Sequence, residues 1–216
     1  MVQTIPAKEM TLAQLNQTFG LTRVDDDRFF LEWQTNLPEL TEPEKQFLAQ
    51  VKTEYLHLSE YPMLEPIVKM VVLSPLLRLA GFYAPPFYLS AEKEVRVVSE
   101  DEGTIVTGRI DVLLFTPEFW VTVVEAKKAA YSIEAAVPQV LAYMLDRLTP
   151  EKPVLGFVTN GSTFQFLKLV QQDCPQYARS DLFSLYSRDG IETVLRILKR
   201  IGQLVVVGEA CPKDIG

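Results

Sequence analysis

The chain is short of the residues that build most small-protein metal and disulfide chemistry. It has two cysteines, Cys174 and Cys211, and one histidine, His57. Two cysteines give no disulfide framework and no thiolate metal cluster. One histidine excludes a multi-histidine zinc centre, and it excludes Ser-His-Asp chemistry that needs an imidazole elsewhere. His57 lies in Tyr55-Leu-His-Leu-Ser and reads as a surface or capping residue. No apolar run reaches the roughly 18 residues that a membrane helix needs. The N-terminus lacks the pattern of a signal peptide, so the expectation is a cytoplasmic protein with no membrane segment. No repeats or low-complexity tracts occur. Positive charge is also scarce: 21 Lys and Arg stand against 28 Asp and Glu, a net charge of −7. Such a balance opposes strong autonomous binding to nucleic acid, which is driven by phosphate neutralisation.

What is present is a globular composition. With 48% hydrophobic and 23% charged residues, the chain can bury a sizeable core. A length of 216 residues suits one globular unit. The expected organisation is a helical extension over residues 1–60 packed on a core over 61–216. Leu12, Leu15 and Phe19 have helical spacing, predicting a helix over about 8–20. Thr41-Glu-Pro-Glu44 is a capping box with proline in the first turn. It predicts a helix to about Leu58 with Phe47, Val51, Tyr55 and Leu58 on one face. A further helix starts at Pro62–Glu65, is kinked by Pro75 and ends at Gly81.

Strands follow. Residues 92–98 alternate, and Gly108 to Phe115 and Val121 to Lys127 read as two apolar strands around the turn Thr116-Pro-Glu118. Residues 132–148 predict a helix, 154–159 and 164–170 predict strands joined by the Asn160-Gly161 turn, and 182–187 predicts a short edge strand. A closing helix runs over about 191–204. A helix between two strands implies a parallel crossover and an α/β fold.

Three charged residues interrupt the central strands. Glu125 and Lys127 are two apart and share a strand face. A hairpin centred at Pro117 pairs Asp111 with Val123 and makes Glu125 its diagonal neighbour, roughly 7–8 Å away at Cβ. Two carboxylates that close repel unless a cation or a proton lies between them. Hard oxygen donors of this kind suit Mg²⁺. The other reading is a solvated Glu-x-Lys face. Against it stand Val121, Val123 and Val124, which place apolar side chains on both faces, where a charge must be paired, bind a metal or sit at an open end.

The pattern Asp111…Glu125-Ala-Lys127 resembles the signature of PD-(D/E)xK nucleases, whose fold is restriction-endonuclease-like. Glu65 in the helical run Met63 to Leu73 and Gln139-Val-Leu-Ala-Tyr143 in the later helix resemble two accessory elements of that family. The order of elements is most similar to the N-terminal nuclease domain of type I restriction enzyme motor (R) subunits. The likeness spans about Tyr61 to Val170, with Ile110 where the family's proline would stand. It implies an αβββαβ core with a mixed central sheet flanked by helices. It also implies a magnesium- or manganese-dependent endodeoxyribonuclease. Asp111, Glu125 and the Ala126 carbonyl would bind the metal, with Glu65 completing the shell. Lys127 would steer water or stabilise charge, and Gln139 would orient water, Lys127 or a nucleotide. Gln139 reads equally as an ordinary helix amide, and Tyr143 reads more readily as a core aromatic. No Walker loop follows, so the expectation is a chain without an ATP motor.

The implied partner is DNA, reached through a homodimer or a separately encoded DNA-reading or motor subunit in restriction or repair. The alternative is a nuclease fold with little or no turnover, acting as a binding or regulatory module. Lys127, Lys128, Arg147, Arg196, Lys199 and Arg200 are the candidate basic surface.

Overall fold

The computed structural model describes residues 3–98, 104–116, 120–126, 130 and 132–207, with residues 3, 120–126 and 207 described by backbone alone. The chain folds around one mixed sheet in the order β1-β4-β5-β6-β7-β8-β2, with β3 added to β4 and β9 to β7. The strands are β1 (Gln3–Pro6), β2 (Thr22–Arg23), β3 (Tyr88–Val98), β4 (Thr104–Phe115), β5 (Trp120–Ala126), β6 (Val154–Thr159), β7 (Thr163–Gln171), β8 (Pro175–Arg179) and β9 (Phe183–Ser184). The α-helices are α1 (Leu12–Phe19), α2 (Glu42–Leu58), α3 (Glu65–Val68), α4 (Ser74–Leu79), α5 (Val137–Leu145) and α6 (Gly190–Val207).

Both sheet faces are covered. On one, Leu114, Leu155, Phe157, Phe164 and Phe166 pack against α2, the α3–α4 segment and α6. On the other, Val97, Val106, Ile110, Val158 and Leu167 pack against α1 and α5. Strands β5 and β6 run parallel with α5 between them in the chain, the crossover that the sequence predicts. Helix α5 lies close to β6 because Gly156 has no side chain: a Cβ there would sit 2.8 Å from Met144 Sδ and 2.9 Å from Val140 Cγ1.

Helix starts follow local chemistry. Thr41 and Glu44 form the predicted capping box: Glu44 Oε2 accepts from the Thr41 N–H at 2.7 Å, and Thr41 Oγ1 accepts from the Glu44 N–H at 3.4 Å. The buried stripe of α2 is Leu48, Val51 and Tyr55, while Phe47 and Leu58 are each 39% exposed. The helix has turned slightly from the predicted phase to seat Tyr55 against the sheet. Helix α1 starts at Leu12 because Thr11 caps it with Gln14. Between α3 and α4, residues Lys69–Leu73 form a π-turn in which the Ser74 N–H reaches the Lys69 carbonyl. Pro75 has no N–H to continue an α-helical ladder, and the wider turn absorbs that break.

Three strands have no counterpart in the sequence reading: β1, β2 and β8. Strand β1 pairs parallel with residues 104–107 of β4, and β2 pairs parallel with β8. Residues 1–60 thus supply strands to the sheet as well as helices to both faces. The predicted edge strand over 182–187 is reduced to two residues, Phe183–Ser184.

The β4–β5 register also differs from the prediction. Leu113, not Asp111, pairs with Val123. Near the turn Phe115 pairs with Trp120 and Leu114 with Thr122, so Val121 is an extra residue on β5. That bulge shifts every later rung. The outermost pair is Val112 with Val124, which makes Asp111 and Glu125 the next residues along the two strands.

Candidate functional site

Asp111 lies where β4 loses its regular alternation. Ile110 and Leu113 pack with the α5-side core, whereas Val112 and Leu114 pack on the opposite side. A regular strand would place Ile110 and Val112 on one face. On the neighbouring strand, β3 pairs Ala91 with Val112 and Lys93 with Ile110. Glu92 stands between those rungs at φ 55°, a conformation that costs a non-glycine residue strain and clusters at functional sites.

The slip turns Asp111 toward the α3–α4 segment. Its Oδ1 is 2.9 Å from Lys69 Nζ, and Glu65 Oε1 is 2.9 Å from the same nitrogen. Glu92 approaches Lys69 at 3.9 Å. Three carboxylates on three elements therefore surround one ammonium. The Asp111 side chain is only 11% exposed and Lys69 22%, so solvent screens these charges less than at a surface. Burial alone would lower the Lys69 pKa, but the hydrogen bonds and charges of Glu65 and Asp111 outweigh it and hold the ammonium above its usual range.

Outside this cluster, Arg109 binds Glu94 at 3.2 Å and approaches Glu92 at 3.8 Å. Each of these residues is more than half exposed, and such pairs contribute little to stability.

The predicted accessory residues of α5 act on the strand backbone. Gln139 Nε2 donates to Tyr143 Oη at 2.9 Å. Tyr143 Oη accepts from the Arg109 N–H at 3.2 Å and donates to the Arg109 carbonyl at 3.1 Å. Both side chains are buried. Residues 108–111 of β4 lie between the part paired with β1 and the part paired with β5. Tyr143 thus fills in for a strand partner just ahead of Asp111. Tyr143 is the core aromatic that its sequence position suggested, and its hydroxyl is in addition a polar clamp on the strand.

Of the predicted site residues, Glu65 and Asp111 converge on Lys69, and Gln139 with Tyr143 supports the strand that carries Asp111. Glu125 and Ala126 are placed by backbone at the C-terminal end of β5, where they pair with Val158 and Thr159 of β6. Lys127 and Lys128 lie outside the described residues. Lys69 and Glu92 were missed. The signal for Lys69 was its position four residues after Glu65 on one helix, the spacing at which opposite charges meet. Nothing local marked Glu92.

The donor set can be tested against a metal ion. Glu65 and Asp111 offer hard carboxylate oxygens, and those oxygens lie no farther apart than twice the 2.9 Å Lys69 contact. They already share one ammonium, and a Mg²⁺ ion, whose ligands stand at about 2.1 Å, would draw the same two carboxylates closer together. Among the described residues no group of three or more His, Cys, Asp or Glu is arranged to hold an ion. The fit is that of an incomplete shell, to which Glu125 is adjacent in the chain register.

The basic residues are dispersed. Arg196 of α6 binds Glu39 at 3.1 Å and the carbonyls of Leu37 and Pro38. Lys199 pairs with Glu44, and Arg147 with Asp146. The acidic segment around 39–44 thus neutralises most of the predicted basic helix face. A cavity of about 520 Å³ is lined by Arg28, Lys152, Lys168 and Arg200 together with Glu32 and Glu151. It opens beside the start of β6, at the other end of that strand from Thr159, and is separate from the Asp111 cluster. Among the described residues no helix is long and apolar enough to cross a membrane.

No known family's sequence profile matches the chain, and no curated protein matches it. A solved structure described as a cryoEM structure of a DrdV-DNA complex is similar at 10% identity, with a TM-score of 0.41, over 74% of this chain and 97% of that one. A likeness of that size carries no argument about fold family or function.

Proposed function

We propose that the chain is a metal-dependent endodeoxyribonuclease that hydrolyses phosphodiester bonds at the Asp111 cluster. The observation that carries this reading is the convergence of Glu65 and Asp111 on one cation, at 2.9 Å each, beside the strand position of Glu125. A bound Mg²⁺ or Mn²⁺ supplies Lewis-acid polarisation of the scissile phosphate and lowers the pKa of a water.

The chain's own residues would do the following. Asp111, Glu125 and the Ala126 carbonyl hold the ion, with Glu65 reaching it directly or through water. Lys127 stabilises charge developing on the phosphate. The clamp of Gln139 and Tyr143 on Arg109 fixes the strand that carries Asp111, so these two residues position the site. DNA is the proposed substrate. The neutralised α6 face supports dependence on a partner, either a second copy or a separate DNA-reading or motor subunit, because phosphate contacts dominate affinity.

A second reading is a nuclease fold used for binding or regulation without turnover. It is favoured by Lys69, whose ammonium lies between the two carboxylates. The two readings separate in one assay. Supercoiled plasmid is incubated with Mg²⁺ or Mn²⁺ and either the natural protein or Asp111→Asn, Lys127→Ala or Glu65→Ala. The first reading expects nicking that Asp111→Asn and Lys127→Ala abolish and Glu65→Ala weakens. Equal residual activity in all four preparations would favour the second.

A further inference from the structure

We propose that Lys69 is the resident counter-ion of this site: its ammonium holds Glu65 and Asp111 together in the metal-free protein, and a divalent cation binds by displacing it toward Glu92. The inference rests on the metal-binding reading above and adds a residue and a regulatory step to it.

The geometry supplies each part. Lys69 Nζ contacts Asp111 and Glu65 at 2.9 Å each. An ammonium in that place does electrostatically what a metal ion does, since two carboxylates so close need a cation between them. Both cannot occupy it, because ammonium and metal would repel at such a separation. The side chain has a second acceptor in reach. Glu92 Oε1 lies 3.9 Å from Lys69 Nζ and is itself 57% exposed. Its partner there, Arg109, stands at 3.8 Å and has Glu94 at 3.2 Å as an alternative. Lys69 can therefore leave the two carboxylates without losing every anionic neighbour. A long, flexible lysine stem suits such a move better than a rigid guanidinium fork.

The backbone agrees with this assignment. Lys69 begins the π-turn that Pro75 enforces, and such turns are frequent at functional sites. Glu92 adopts φ 55° opposite Asp111, which keeps its carboxylate on the Lys69 side rather than in regular strand alternation.

The test is calorimetric titration of the full chain with Mg²⁺, and separately Mn²⁺, comparing the natural protein with Lys69→Met and Glu92→Gln. Melting temperatures are recorded with and without the ion. Lys69→Met is expected to bind either ion more tightly, on the order of tenfold, as neighbouring groups commonly change metal affinity. It should also melt lower than the natural protein without the ion and gain more from adding it. Glu92→Gln, which removes the second anionic partner, should bind the ion more weakly. Equal affinity in all three proteins would overturn the counter-ion role and leave the metal reading standing. Weaker binding by Lys69→Met would also overturn the role, by making Lys69 a support for metal rather than its competitor. Absence of binding in all three would end the metal reading and this inference with it. If Lys69→Met does not fold, Glu92→Gln decides: unchanged affinity in that variant overturns the displacement step.

Discussion

The Tyr143 hydroxyl bonds both backbone polar groups of Arg109, taking the N–H at 3.2 Å and giving its own hydrogen to the carbonyl at 3.1 Å. Two residues later the strand carries Asp111, so the clamp sets the position of the carboxylate through the backbone. Gln139 completes the arrangement by donating to the same oxygen.

Tyr143→Phe keeps the ring and removes the hydroxyl. It leaves the Arg109 N–H and carbonyl and the Gln139 amide without that partner, in a region closed to most water. The expected loss is about 1–3 kcal/mol, the cost of leaving buried polar groups unsatisfied. Urea unfolding of the variant and the natural protein measures it, and an unchanged midpoint would rule the clamp out. If the clamp also positions Asp111, metal affinity falls in the same variant.

Gly108→Ala tests the close approach behind the clamp. A Cβ at that position would sit 2.6 Å from Tyr143 Cε1 and Oη and 3.0 Å from Ala7 Cβ. The Ala7 methyl on one side and a buried ring on the other leave little room, so overpacking should cost about 1–3 kcal/mol. Combining it with Tyr143→Leu removes the clash, so the double variant should lose less than the sum of the two single losses. Thermal melts of the two single variants and the double variant give the coupling.

The buried pair of Lys168 and Glu32 ties the loop before α2 to the centre of β7. Their atoms meet at 2.8 Å with side chains only 9% and 5% exposed, and Lys168 also donates to the Phe29 carbonyl at 2.9 Å. Lys168→Met leaves a carboxylate buried beside an apolar chain and should destabilise by roughly 3–5 kcal/mol. Adding Glu32→Leu should recover much of that loss, because replacing both partners removes the stranded charge. Denaturant midpoints of the three proteins check the order.

Glu44 predicts a pH dependence. Burial alone would raise its pKa, but the Lys199 ammonium and the Thr41 N–H and hydroxyl outweigh it, holding the carboxyl below its ordinary value near 4.5. A depressed carboxyl contributes stability that is fully present above the unfolded pKa and lost as pH falls through the folded one. Melting temperature should therefore be flat with respect to this group at neutral pH and fall below about pH 4.5, the unfolded value. Glu44→Gln should melt lower than the natural protein at pH 7, with the gap closing as pH falls toward 3. A gap independent of pH would show that the contribution is packing, not charge.

The parts legible in the sequence were those decided within a few residues. Thr41 and Glu44 meet because a helix start brings the first and fourth residues together whatever surrounds them. The apolar runs of β4 and β6 follow from burial on both faces. Gln139 and Tyr143 share a helix side at four-residue spacing, so their pairing was readable, although their target, Arg109, was not. The Glu65–Lys69 pair is local in the same way, since its four-residue spacing places the two charges on one helix side.

What the sequence by itself determined, then, is local: helix starts, strand runs, and the alignment of Glu65 with Lys69 and of Gln139 with Tyr143. Only the tertiary structure decided the rest. Val121 bulges and the hairpin closes on Phe115 and Trp120, which together move the β5 register by two residues from a pairing centred on Pro117. Strands β1 and β2 are too short to show a pattern and exist because β4 and β8, far along the chain, offer them open edges. Alternation slips at Asp111 opposite Glu92, which turns a strand residue toward a helix some forty positions earlier. These choices depend on contacts between distant segments, where packing and hydrogen-bond satisfaction of the whole sheet outweigh the preference of any single stretch.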